Sequence, residues 1–264
     1  MRIIVCVKQV PDTTEVKIDP ETHTLVREGV ESITNPFDLF AIEEALKIKE
    51  NLSNCEVIAI SMGPPQAKDT LKEVISMGVD RAYLLSSKEF AGADTLATSY
   101  TLSMAIKKIG EYALILCGQQ AIDGDTAQVG PEIAAQLDIP QVAYVRKIEE
   151  IKEDYARVEK MTEDGYEVIE TPLPVLFTVV KEINIPRLPT LRGKLIAKKV
   201  EIPILIPTDI DADLDRIGLS GSPTYVVKIF SPEVKKSSRI FRDDIKGSVD
   251  KVVKLIEETV KKIH

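Results

Sequence analysis

The chain has 264 residues, 44% hydrophobic and 29% charged, with a net charge of −8 and a pI near 5.1. That is enough to bury a core as one large domain or a domain with extensions, and too acidic for nucleic acid to be the main partner. Two histidines (His23, His264), no tryptophan and 5% aromatics argue against histidine general-base chemistry, a histidine-rich metal site and a base-stacking platform.

No apolar run approaches ~20 residues, so no membrane span is expected, and "MRIIVCVKQV" reads as a first strand rather than a signal peptide. Cys6, Cys55 and Cys117 are scattered, odd in number and without a CxxC spacing. They fit small core residues in a reducing cytoplasm. Function is then left to backbone groups, hydroxyls, carboxylates or a bound cofactor.

In chain order, "RIIVCV" is a buried-type strand. "PFDLFAIEEALKIKEN" is helical, with Leu39, Ile42 and Leu46 on one face and Asn35 or Asp38 as caps. "CEVIAIS" and "RAYLLS" are strands around the helix "PPQAKDTLKEVISMG", which Gly78 closes. "DTLATSYTLSMAIKKIG" is a helix, "YALILC" a strand, and "DTAQVGPEIAAQL" a helix. Such β-α repeats predict an α/β fold with a mostly parallel twisted sheet and helices on both faces. From Gln141, near-alternating apolar residues in "QVAYVRKIEEI", "YARVEKMT", "YEVIETP" and "PVLFTVV", with a turn at Glu163-Asp164-Gly165, predict an antiparallel hairpin extension of that sheet.

"IPRLPTLRGKLIAKKV" brings prolines and basic residues to the surface. In 201–240, Pro203, Pro207, Pro223 and Pro232 predict an extended arm. Ile245, Val249, Val252, Val253, Ile256, Val260 and Ile263 form one stripe of a final amphipathic helix. The arm and helix either pack back on their own domain or embrace a partner chain. The expected division is a nucleotide- or flavin-binding domain over 1–200 and a C-terminal arm and helix over 201–264.

Ligands of parallel α/β sheets bind beyond the carboxyl ends of the strands. The residues there are Cys6 with Val7 and Lys8; Asn35, Pro36, Phe37 and Asp38; Met62 in "SMGP"; Asp94, Thr95 and Thr98; and "CGQQAIDGDTAQVGP". In that last stretch Gly118 admits a flat ligand group and Gly124 a positive φ. Thr126 can cap the helix and offer a hydroxyl, Ala127 leaves room, and Gln128 can bond a base, ribose or phosphate. Asp123 and Asp125 suit ribose hydroxyls or the loop's own amides. Gln119, Gln120, Ala121, Ile122 and Val129 complete the segment. A ligand-free capping turn and a DxD metal site are the alternatives; the second lacks a third carboxylate or histidine. Neither GxGxxG nor GxxxxGK[ST] is present, which points away from ordinary NAD dehydrogenases and P-loop NTPases.

"VCVKQVPDT", "NPFDLFAIEEAL", "ISMGPP", "GADTLATS", "CGQQAIDGDTAQVGP", "VEKMTEDGYEVIETPLPVLFTV" and "PRLPTLRGKLIAKK" occur in this order. Together they resemble the beta-subunit family of electron transfer flavoproteins, over the chain as far as Lys199. The resemblance implies a heterodimer with an FAD-carrying alpha subunit, and a nucleotide in this chain. In one branch the nucleotide is AMP; in the electron-bifurcating branch it is a second FAD that takes a hydride from NADH. The resemblance places that nucleotide at Cys6, Asn35–Asp38, Met62 and Gly118–Val129. It also places Leu191, in a recognition loop near 187–199, on an acyl-CoA dehydrogenase-type partner. Arg192-Gly193 departs from the loop's usual Pro-Asn. The small, hydroxylated turn Gly124-Asp125-Thr126-Ala127, with Asp94, Thr95 and Thr98, is similar to the FAD-binding branch, with ferredoxin or flavodoxin as low-potential acceptor. An AMP-binding carrier and an adenine-nucleotide-binding regulator without redox function are the rival expectations. No catalytic side chain and no metal are expected.

Overall fold

A computed structural model describes residues 1–12, 32–227, 240–242 and 244–263. His23, Pro232 and His264 lie outside the described residues, as does the side chain of Ile263. The chain divides into two compact units, Met1–Lys228 and Ile229–His264.

The first unit is built on short runs of apolar residues. β1 (Arg2–Cys6) is followed by a small antiparallel pair, β2 (Gln9–Pro11) and β3 (Ser32–Thr34). Then come α1 (Pro36–Asn51), β4 (Glu56–Met62), α2 (Lys68–Met77), β5 (Arg81–Leu85), α3 (Thr95–Ile109), β6 (Leu114–Gly118) and α4 (Val129–Leu137). β7 (Gln141–Ile151), β8 (Tyr155–Thr162), β9 (Gly165–Pro172) and β10 (Val175–Val179) follow, then α5 (Leu191–Lys199) and β11 (Ile204–Leu205). The nine-stranded sheet has the order β11-β5-β4-β1-β6-β10-β7-β8-β9.

Its central strands read as unbroken apolar runs because both faces are covered. Ile3, Val5, Val57 and Ala59 face a core with residues of α1, α2 and α5, whereas Ile4, Cys6, Ile58 and Ile60 face one with residues of α3 and α4. A fully buried Ile or Leu contributes about 1.5–3 kcal/mol. These two cores therefore fix the strand ends that matter for the site.

The predicted β-α alternation and the antiparallel extension are present, with one change. β10 does not continue the hairpins. It returns to the sheet interior, parallel to both β6 and β7, because Val175, Leu176, Phe177 and Val179 are fully buried and only an interior position covers both faces. β7, β8 and β9 pair antiparallel beyond it.

Leu191–Lys199 lie largely at the surface, as predicted, but as a helix, α5, capped by the Thr190 hydroxyl accepting from Gly193 N. Residues 201–227 run along the first unit: β11 pairs with β5, and Asp213 N donates to the Tyr100 hydroxyl. In the second unit α6 (Ile245–Ile263) is the predicted amphipathic helix, with Ile245, Val249, Val252, Val253, Ile256 and Val260 exposed along one stripe. Among the described residues no helix is long and apolar enough to cross a membrane.

Candidate functional site

The chain leaves β1 toward β4 and β5 on one side and later fills β6 and β10 on the other. The carboxyl ends of β1 and β6 therefore flank a topological switch point, the crevice where ligands of open α/β sheets bind. In the parallel register Cys6 lies opposite Cys117 and Ile60, so the loops after β1, β4 and β6 emerge together. Cys6, Met62 and Gly118 stand at those three ends.

The turn before α1 joins the β1 and β6 loops. Asn35 N donates to Lys8 O. The Asn35 side chain donates to Gln120 O at 2.9 Å and accepts from Ile122 N at 3.2 Å. Asn35 occupies the N-cap position of α1 but makes no side-chain cap bond; its amide is spent across the crevice instead. Pro36 opens the helix, where a missing N–H is harmless. Asp38 Oδ2 accepts from Lys8 N at 2.8 Å, and Lys8 Nζ pairs with Asp123 Oδ1 at 2.6 Å.

Gly118 is required by this joint. A Cβ there would come within 2.5 Å of Asp38 Oδ1 and 2.6 Å of the Phe37 carbonyl carbon. Burial pushes the Asp38 carboxyl up to about 7, although the Asn35 side chain, the Lys8 and Gly118 backbone groups and the Lys8 charge pull it down. Beside it, the Cys117 thiol is raised by its hydrogen bond with Cys6 and by burial, which leaves it a poor nucleophile.

The loop from Gln119 to Gln128 carries the polar groups. Gln119 N is tied to Val179 O, Asp125 N to Ala121 O, and Gln120 Nε2 to Asp125 Oδ1. Positive φ falls at Asp125 and Ala127 (both φ 54), not at Gly124. Thr126 does not cap α4, which starts at Val129 with Gln128 as an N-cap lacking a side-chain bond. The reason is the loop itself: left-handed residues at 125 and 127 break helical geometry. Ala127 in a left-handed conformation before right-handed Gln128 makes the backbone concavity that favours anions. Among the described residues no hydrogen bond engages the N–H of Thr126, Ala127 or Gln128. Those amides immediately precede the positive end of α4.

Thr95 and Gln128 meet at the α3 and α4 N-termini. Thr95 Oγ1 bonds Glu132 Oε1 at 3.0 Å and lies 3.4 Å from Gln128 Oε1, while Glu132 Oε2 is buried without a partner. Thr98 is half-buried one turn along α3. Asp94 turns elsewhere: its carboxylate caps Ala97 N and accepts from Thr224 N and Oγ1. Leu191 opens α5 and is 79% exposed, alongside exposed Ile185, Leu188 and Leu195.

Glu132 and Arg187 carry structural roles that the candidate residues omitted, and Lys8, noted only as following β1, bridges to Asp123. Lys8 was visible as the first charge after β1. Arg187 bonds Glu43 and Glu50 of α1, a pairing that no local pattern announces.

A mostly parallel α/β sheet with unengaged loop amides beside its switch point is the arrangement in which open α/β proteins commonly place a phosphate group. The family model for the electron transfer flavoprotein domain matches residues 22–209. The chain is 53% identical to the electron transfer flavoprotein subunit beta of Thermoanaerobacterium thermosaccharolyticum over 96% of both chains. It is 50% identical to that of Megasphaera elsdenii over 98% of this chain and 100% of the other. It is also 53% identical to the caffeyl-CoA reductase-Etf complex subunit CarD of Acetobacterium woodii over 89% of both. The chain belongs to the electron transfer flavoprotein family, among its beta subunits.

Proposed function

We propose that this chain pairs with an FAD-carrying alpha subunit and holds a second FAD in the β1/β6 crevice, in the cytoplasm. That FAD would take a hydride from NADH, with its electrons passing to an acyl-CoA dehydrogenase-type flavoenzyme and to a low-potential acceptor, ferredoxin or flavodoxin. The observation that carries the reading is the 118–129 loop, with free amides at Thr126–Gln128 in front of α4.

The residues present fit such a group. The unengaged amides of Thr126–Gln128 and the adjoining end of α4 suit a diphosphate, while Gly118 admits the close approach of Phe37 and Asp38 that joins the loops. Gln128, Asp123 and Thr126 are exposed on the loop; Gln128 and Thr126 can donate to diphosphate oxygens, and Asp123 can accept from a ribose hydroxyl. When bound, FAD supplies hydride acceptance and single-electron release. Asn35 and Asp38 tie the two loops together, and Cys6 and Cys117 belong to the core packed beneath the strand ends. No side chain here acts as acid or base.

FAD is favoured over AMP because the small, hydroxylated turn Gly124-Asp125-Thr126-Ala127, exposed except at half-buried Ala127, resembles that of the FAD-binding branch. The Acetobacterium relative is named as a subunit of a caffeyl-CoA reductase complex, which supports an acyl-CoA-linked flavoenzyme as partner, with exposed Leu191 as the docking residue.

The test is to co-express the chain with its alpha subunit, denature the complex and count what is released. Two FAD and no AMP per pair, with flavin reduction by NADH, is the expected result. One FAD and one AMP would make the chain the subunit of a simple carrier. A colourless protein that binds adenine nucleotides without pairing would make it a regulator.

A further inference from the structure

The end of α5 that carries Leu191 is held by two contacts that the docking reading does not itself require. The first is Gly193. A Cβ at this position would overlap the Ser76 carbonyl oxygen, lying 2.8 Å from its carbon and 2.9 Å from Thr190 Oγ1. The obstructing group is main chain near the end of α2, so it cannot swing aside as a side chain would. The helix itself would have to lift.

The second contact is Arg187, just before the helix. Its guanidinium and backbone N–H reach Glu43 of α1 at 2.8, 3.1 and 3.0 Å, and its other side reaches Glu50 at 2.5 and 3.2 Å. Glu43 is 6% exposed. Asn184 adds a bond to Phe40 O. Between these anchors Leu188 and Leu191 are left exposed, while Ala197 plugs the other end of α5 into the core.

We propose that Gly193 and Arg187 are positioning residues: they fix α5 against α2 and α1 so that Leu188 and Leu191 are presented to the acceptor flavoenzyme in one preset pose. This rests on the reading that the segment around Leu191 docks that enzyme. A preset pose removes the ordering entropy that a loose loop would lose on binding. It acts on recognition of the acceptor, not on electron chemistry in the crevice. The glycine is thus a geometric requirement of the seat, in a chain whose loop departs from Pro-Asn at this point.

The test uses the holo-heterodimer and its acceptor flavoenzyme, with steady-state transfer measured against acceptor concentration. Gly193→Ala is expected to raise KM for the acceptor on the order of tenfold, with little change in kcat. Flavin content and reduction of a small artificial dye should match the unaltered complex. Arg187→Lys, which keeps the charge and loses the fork, is expected to raise KM by roughly threefold. It decides the matter if Gly193→Ala does not fold.

Leu191→Ala serves as the control for the underlying reading. If Leu191→Ala raises KM and neither positioning variant does, the seat plays no part in presentation and the proposal falls while docking stands. If Leu191→Ala leaves KM unchanged, the docking reading itself fails. A positioning variant that loses flavin or its alpha partner acts globally, and that outcome also overturns the proposal.

Discussion

Asp38 is the residue whose chemistry is least like its surroundings. It is a carboxyl enclosed by Gly118, Phe37 and the Lys8 backbone, and burial sets its pKa near 7. The unfolded chain releases this proton near 4, whereas the native state keeps it until about 7. Rising pH between those points therefore favours unfolding, by at most ~1.4 kcal/mol per unit for one proton. This contribution is fully present below pH 4 and has gone above 7. The Asp38→Asn variant removes it. Relative to the unaltered protein, the variant should gain roughly 1–3 kcal/mol between pH 5 and 7.5, read from urea midpoints. A stability difference that does not change with pH would falsify the assignment. The sequence marked Asp38 as a cap or ligand contact. Its real neighbours, Lys8 and Gly118, are far along the chain, and burial is not written in a local pattern.

At the scale of elements, legibility followed periodicity. β1, β4, β5 and β6 and the span of α1 were readable because unbroken apolar runs and a 3.6-residue stripe have few alternative meanings. β10 was not: "PVLFTVV" has the same composition as an edge hairpin strand, and only the closure of one core over Phe177 and of the other over Leu176 puts it inside. The start of α4 was misplaced because Asp125 and Ala127 adopt left-handed geometry in a loop held by Asn35, whose partners are 85 and 87 residues away. α5 was hidden by the prolines before it and by Gly193 within it, residues that locally oppose a helix.

That helix also yields a prediction. Arg192, Lys194, Lys198 and Lys199 are exposed, and among the described residues no ion pair engages them. Rim charges act mainly on encounter rates and are screened by salt, with a Debye length of about 10 Å at 0.1 M. If α5 docks a carboxylate-rimmed acceptor, KM for that acceptor should rise several-fold as NaCl goes from about 20 to about 300 mM, with dye reduction unaffected. A KM independent of salt would leave the apolar residues of α5 as the whole of the contact.

At the scale of the molecule the open matter is what covers α6. Its stripe, from Ile245 through Val249, Val252, Val253 and Ile256 to Val260, is exposed. A helix of 19 residues is marginal in water without tertiary packing. Covering six Val and Ile side chains would contribute roughly 10 kcal/mol gross, before the entropy lost on association. The proposed alpha subunit is the surface that would satisfy this stripe. The first unit carries both apolar cores and the complete nine-stranded sheet, so it has what it needs to fold without the second. A chain ending at Lys228 should therefore keep its far-UV circular dichroism and melt cooperatively. Its affinity for the alpha subunit should drop by at least about a hundredfold, equivalent to ~2.8 kcal/mol, which is the fraction of the gross gain that survives ordering. Titration calorimetry of both lengths against purified alpha subunit measures this directly. Equal affinities would mean that α6 and its arm stabilise something other than the heterodimer, and a truncated chain that no longer melts cooperatively would mean that the first unit depends on them to fold.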